Sequence, residues 1–290
     1  MNKSFRLLLL LFVFAFAFSC ARGIQPPQKP AKIAVVLGAG AARGFAHIGV
    51  LKVLEVNQIP VHMIVGTSAG SFVGSLYSYG FNAFQLQKLS FDLQKDDILD
   101  LTVPDNGFIK GEKLGKYINH MTGNTPLEKL RIPFYAVATN IQTGKEVVFG
   151  SGDTGTAVRA SCAIPGIFRS VEISNKFYVD GGVSSPVAVD AARRLGADIV
   201  IAVDISGELD STVPKGTIET IIHSVSIIYA KLAAIQVAKA DVVIRPKVGS
   251  LGGADFTKRH EAVLEGEKAA LAVLPKIQET VNKLRSEGRL

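Results

Sequence analysis

"IAVVLGAGAARG", residues 33–44, runs five apolar residues into a loop of small ones, and Phe45, Ile48, Leu51 and Leu54 follow at helical spacing. A β-rich run, a glycine-marked loop and an apolar-faced helix make one strand–loop–helix unit. A second unit, "VHMIVGTSAG" at residues 61–70, repeats the order behind Pro60, and its helix is expected from Ser68 to Tyr79 with Gly80 as the stop. Two such units in succession predict an α/β fold in which a mainly parallel sheet is covered by helices on both faces.

The rest of the chain extends this pattern. Strands are expected at 132–139, 146–149, 171–173, 177–179 and 198–204, with Ser174-Asn175 as a hairpin turn. Ser185-Pro186 has the form of an N-cap and first helical position. Two long helices are read at 217–240 and 261–284, the second interrupted at Pro275. The first carries Ile218, Ile221, Ile222, Val225, Ile228 and Leu232 on one side, and both are predicted to face the core.

At 290 residues, 48% hydrophobic and 20% charged, the chain is long enough for one sizeable core. Residues 1–19 differ in kind. Lys3 and Arg6 precede an apolar run from Leu7 to Phe18, too short to span a bilayer but of the length of a secretory signal. Cys20 at its end resembles the lipid-bearing cysteine of bacterial lipoproteins, with Ala21 after it favouring the outer membrane. An ordinary signal peptide cut near Ala21 is the alternative. Residues 20–32, with three prolines, read as a tether. If Cys20 is lipidated, Cys162 alone remains and no internal disulfide can form. The net charge of +7, or +5 without Lys3 and Arg6, is spread along the chain. It reads as a solvated surface rather than a nucleic-acid footprint, and it would help at an anionic membrane.

The two loops carry the chemistry. The spacing at Gly38-x-Gly40 departs from a dinucleotide fingerprint, because Arg43 stands where a small residue should let helix and strand touch. A helix N-terminus behind such a loop still offers unpaired N–H groups to an anion, including the oxyanion of an acyl transfer. Gly66-Thr67-Ser68-Ala69-Gly70 has the form of a strand-to-helix turn presenting a nucleophile. Parallel neighbouring strands bring both loops to the same carboxyl edge of the sheet. A serine needs a base, and His47, His62, His120, His223 and His260 all fall inside helices or strands or in unmarked positions. Asp180, at the end of the apolar strand in "FYVDGG", is the other candidate, although an isolated Asp-Gly is more often a turn pair.

The combination resembles the patatin-like phospholipase family, in particular its bacterial members. The resemblance rests on Gly40-Ala41-Ala42-Arg43-Gly44, Gly66-Thr67-Ser68-Ala69-Gly70 and Asp180-Gly181-Gly182, in that order. Supporting similarity lies in "GFIKGEKL" (107–114), "VATNIQTG" (137–144), "RASCAIPGIF" (159–168) and "ADVVIRP" (240–246).

The resemblance implies one three-layer patatin-like domain over 33–290 that acts as a metal-independent, cofactor-free lipid acyl hydrolase. Ser68 would be the nucleophile and Asp180 its partner in a dyad. The loop of Gly40, Ala41, Arg43 and Gly44 would form the oxyanion hole, Gly66 and Gly70 would shape the elbow, and Gly181 and Gly182 the dyad loop. Alanines at 39, 41 and 42 stand where relatives often carry glycine. They keep their N–H groups but reach positive φ less readily. Arg43 either braces the loop, meets a phosphate head group or caps a surface; Pro165 and Gly166 shape a loop at the pocket or merely a turn. The partners implied are a lipid or phospholipid acyl ester and a membrane surface reached through Cys20, with no nucleic acid, in a bacterial cell envelope. A Ser-His-Asp hydrolase, a non-catalytic envelope lipoprotein and a nucleotide-binding module are the alternatives.

Overall fold

The computed structural model describes residues 29–102, 107–206, 213–252 and 255–290. Residues 1–19, Cys20 and the tether as far as residue 28 lie outside the described residues, as does the side chain of Ile218.

The first two units form as read. β1 (Ile33–Leu37) leads through a 3-10 turn (Ala41–Gly44) into α1 (Phe45–Val56), and β2 (Met63–Thr67) leads through Ser68 into α2 (Ala69–Tyr79), which Gly80 closes at φ 128°. Four shorter helices follow the second unit: α3 (Ala83–Asp92), α4 (Lys95–Ile98), α5 (Glu112–Met121) and, after β3 (Phe134–Asn140) and β4 (Glu146–Phe149), α6 (Thr154–Ser161). β5 (Val171–Ile173) and β6 (Lys176–Asp180) form the expected hairpin, with Ser174 and Asn175 both at positive φ. α7 (Val189–Arg194), β7 (Ile199–Val203), α8 (Thr217–Val237), β8 (Val242–Ile244) and α9 (Arg259–Ser286) complete the chain.

One sheet runs in the order β5-β6-β3-β2-β1-β7-β8, with β4 also on β3. β3, β2, β1, β7 and β8 are parallel, while β4 and β6 pair antiparallel to β3. Alternate residues of each strand feed opposite cores. Ile33, Val35 and Leu37 pack with α1, α2 and α9, whereas Ala34 and Val36 pack with α7 and α8, which gives three layers. All five residues of β1 are fully buried, as a central parallel strand requires.

Three expectations are corrected. Ser185 does not cap a helix: its hydroxyl is taken by the Glu146 carboxylate, and α7 begins later, at Val189. Pro275 does not break α9, which continues through it, held by buried Ala270 and Ile277 on either side at the cost of one backbone bond. α8 is not a core helix over its length. Among its described side chains, Tyr229, Ala233 and Val237 form the buried stripe, while Ile228 and Ile235 are exposed. By length and composition its Glu219–Val237 stretch could cross a membrane, with a mean hydropathy of 1.4.

Candidate active site

Register places the two loops together. Leu37 pairs with Gly66, so the chain leaves β1 and β2 at the same level of the carboxyl edge. Thr67 pairs with Val137, and the next residue of β3, Ala138, pairs with Asp180. Ser68 and Asp180 therefore flank β3 at one height. Across that gap the Ser68 hydroxyl donates to Asp180 Oδ2 at 2.6 Å.

Ser68 sits at φ 53°, ψ −122°, a conformation that a non-glycine residue holds only when its surroundings impose it. The surroundings here are explicit. Its N–H donates to Ser161 Oγ at 2.9 Å, and Ser161 in turn donates to the Val137 carbonyl. Its carbonyl accepts from the Ser71 and Phe72 N–H groups and from Ser71 Oγ. The backbone is clamped on both sides, and the side chain makes no capping bond to α2.

Close packing explains the glycines. A Cβ at Gly66 would meet Ser71, at Gly70 the Leu37 carbonyl, at Gly181 the Val137 carbonyl and at Gly182 the Tyr229 ring. The turn can therefore press against β1, and the Asp180 loop against β3, only without side chains.

Asp180 is fully buried. Its Oδ1 accepts from the Gly182 N–H at 2.7 Å, and its own N–H and C=O are bonded to Ala163 and Thr139. Burial pushes its carboxyl up to about 6, against the hydrogen bonds from Ser68 and Gly182 and the nearby Tyr229 hydroxyl, which pull it down. Cys162, buried beside Ser71 and Ser68, is held as a thiol by its burial and by the Asp180 charge.

Among the described residues, no histidine bonds to Ser68 or Asp180. His47 is buried on the Gly38 carbonyl at 2.8 Å, and its burial lowers it to about 4, so it is neutral. His62 accepts from the Ile33 N–H, and His260 stacks on Phe91. No three His, Cys, Asp or Glu side chains among the described residues converge as a metal cage would need.

The glycine loop divides its tasks. Ala41 does reach positive φ, at 49°, and Gly40 precedes it at φ 172°. Their N–H groups have no acceptor among the described residues. The expectation that Arg43 serves the oxyanion is corrected: its N–H is already given to the Gly40 carbonyl, and its buried guanidinium donates to the carbonyls of Ser206, Gly249 and Leu251. Bracing is the reading that survives. Gly44 likewise serves contact, since a Cβ there would meet the Ala69 Cβ at 2.5 Å.

A cavity of about 330 Å³ opens at Ser68, walled by apolar side chains that include Phe72, Leu76, Leu86, Leu93 and Phe168. The turn at Ile164–Phe168, with Gly166 at φ 76°, supplies part of that wall through Ile164, Ile167 and Phe168, while Pro165 and Gly166 lie in the turn and do not line the cavity. A second recess of about 30 Å³ lies between Gly40, Ala41 and Ser68 on one side and Ser226 and Tyr229 of α8 on the other. Tyr229 carries no local sequence signal, because it acts through contacts across the fold, and Ser161 and the Ile164–Phe168 part of the wall fall inside "RASCAIPGIF", a motif whose similarity assigned them no individual role.

With this geometry in place, comparison with known proteins is decisive on one point: the family model for patatin-like phospholipase matches residues 35–193, just over half of the chain. The chain belongs to the patatin-like phospholipase family. Among its relatives, a lysophospholipase NTE1 of Pyricularia oryzae is 31% identical over 89% of this chain and 19% of its own length. An uncharacterised NTE family protein of Mycobacterium bovis is 34% identical over 61% of this chain and 49% of its own length. This patatin-like chain thus spans a fifth to a half of the length of these relatives. The crystal structure of VipD from Legionella pneumophila shares the fold, with a TM-score of 0.58 at 12% identity over 86% of this chain and 67% of that one.

Proposed function

We propose that this patatin-like protein is a serine lipid acyl hydrolase working through a Ser68-Asp180 dyad. The observation that carries the reading is the 2.6 Å bond from a strained, clamped Ser68 to buried Asp180 at the mouth of an apolar cavity. An acyl chain enters the cavity and sets its ester carbonyl at Ser68. Asp180 takes the hydroxyl proton as Oγ attacks, and the N–H groups of Gly40 and Ala41 hold the oxyanion in the small recess. Collapse expels the alcohol, which takes the proton back. Water, deprotonated by Asp180, then releases the fatty acid and frees Ser68. A carboxyl near 6 is a better base than an ordinary aspartate, and it is still mostly ionised at pH 7.

The family supports the lipid class of substrate, and the apolar cavity supports an acyl ester within it. The sequence around Cys20 supports secretion and a lipid anchor that would keep the domain, residues 33–290, at a bacterial envelope membrane. Replacement of Cys20 by alanine should then abolish labelling by radioactive palmitate.

The dyad has a direct test. Protein lacking residues 1–20 should hydrolyse a short p-nitrophenyl ester and take up a fluorophosphonate at Ser68. Ser68→Ala and Asp180→Asn should each lower kcat by about 10⁴ or more while leaving the circular dichroism spectrum unchanged. Full activity in Asp180→Asn, with loss in His223 or His260 variants, would move the reading to a histidine triad; no labelling and no hydrolysis would leave a non-catalytic protein.

A further inference from the structure

Tyr229 is buried, and its hydroxyl faces Asp180, yet it makes no hydrogen bond of ordinary geometry. Buried hydroxyls without partners are uncommon and costly, so one placed against a carboxyl calls for a reason. The Asp180 carboxylate has room for it: Oδ2 accepts one bond, from Ser68, and Oδ1 one, from Gly182, whereas two carboxylate oxygens offer about four positions. The second glycine of the Asp-Gly-Gly motif has its place through the same residue, because a Cβ at Gly182 would overlap the Tyr229 ring. Tyr229 also walls the small recess that holds Gly40, Ala41 and Ser68.

Resting on the hydrolase reading, we propose that Tyr229 is a positioning residue of the dyad, its hydroxyl donating to the Asp180 carboxylate in the working enzyme and holding Oδ2 on Ser68. The ring is fixed on Gly182, and α8 carries it on the buried stripe of Tyr229, Ala233 and Val237. Tyr229 keeps its own proton throughout. The proton that moves passes from Ser68 to Asp180 and then to the leaving alcohol. The role of the tyrosine is to favour the ionised carboxylate before the first transfer and again after the second.

The pH dependence follows from the groups around Asp180. Ser68 comes from the β2–α2 turn, Thr139 from β3, Cys162 from the end of α6 and Tyr229 from α8. Cys162 and Tyr229 are the ionisable ones among the described residues, and burial holds both neutral. A donor to the carboxylate lowers its pKa, so removal of the hydroxyl raises it. The acid limb of activity then moves to higher pH.

Tyr229→Phe keeps the ring on Gly182 and should fold. In protein labelled with ¹³Cγ-aspartate, the Asp180 resonance, assigned by its absence in Asp180→Asn, should titrate at higher pH in Tyr229→Phe than in the wild type. On a short ester, kcat/KM should fall about tenfold at pH 5.5 and by much less at pH 8, with the effect in kcat rather than KM. Coincident Asp180 titrations overturn the proposal whatever the activity. A shifted titration in a protein that neither hydrolyses esters nor labels at Ser68 upholds the Tyr229 contact and sinks the hydrolase reading instead. Hydrolysis that depends on Ser68 and Asp180, with superimposed pH profiles for Tyr229→Phe, sinks the proposal alone.

Discussion

Asp180 is stabilised as an acid and needed as a base, and that conflict makes two measurable predictions. Its carboxyl is lifted from 3.8 to about 6 because burial outweighs its hydrogen bonds. Catalysis needs the ionised form, so kcat/KM should fall below about pH 6 with a slope of one. A limb near pH 4 would show that the carboxyl is not desolvated in solution. The stability effect has the opposite sign. A folded-state pKa above the unfolded value means that the fold favours the protonated acid, so this contribution is fully present below about pH 4 and lost as pH rises through 6. Asp180→Asn stays neutral at every pH. It should therefore melt higher than the wild type at pH 8, by up to about 3 kcal/mol, with the gap closing as pH falls toward 4. Ser68 and Asp180 were both legible in the sequence because each stands at the end of a strand with a glycine close behind it, Gly70 two residues after Ser68 and Gly181 directly after Asp180. Tyr229 was not, since a tyrosine within "SVSIIYAKLAA" looks like any apolar helix position until the turn after β6, at Gly182, is packed against it.

At the scale of elements, the glycine loop owes its shape to a distant anchor. Arg43 spans to the carbonyls of Ser206, Gly249 and Leu251, more than 160 residues away in the chain, and so ties the first loop to two later ones. Lysine keeps the charge but not the planar fork. Arg43→Lys should leave buried carbonyls unsatisfied and lower stability by about 1–3 kcal/mol. It should also lower kcat, because Gly40 and Ala41 lose their fixed aim. A variant with wild-type melting temperature and kcat would show that the loop holds itself. Strand–loop–helix units were readable because their signals are local: an apolar run, a glycine, then a 3.6-residue period. α4 was not, because four residues are too few to show a period. Ser185 misled for a related reason: a serine before a proline looks like a cap, and nothing nearby in sequence shows that Glu146 takes its hydroxyl. α8 misled because a pattern of apolar residues says that a face is greasy without saying what lies against it.

For the whole molecule, the matched family region and the folding unit have different limits. The family match ends at residue 193, yet β1 lies between β2 and β7, and β7 begins at Ile199. All five β1 residues are fully buried, with Ala34 and Val36 in the core that α7 and α8 cover, and Ile33, Val35 and Leu37 in the one that α9 covers. A chain cut after residue 193 would lose β7, β8, α8 and α9. The edge of β1 would stand open as a row of unpaired backbone groups, and α1 would face water where α9 had covered it. It would also lose Ser206, Gly249 and Leu251, the carbonyls that hold Arg43, and so the loop beside Ser68. All the motif residues would still be present, from Gly40 to Gly182, but the site they form would not. Residues 29–193 expressed alone should therefore be aggregation-prone, lack a cooperative melt and fail to label with a fluorophosphonate, whereas residues 29–290 should melt in one transition and label. A soluble, cooperatively melting 29–193 fragment that still labels at Ser68 would show that the later strands are an accessory to the site and not part of its frame.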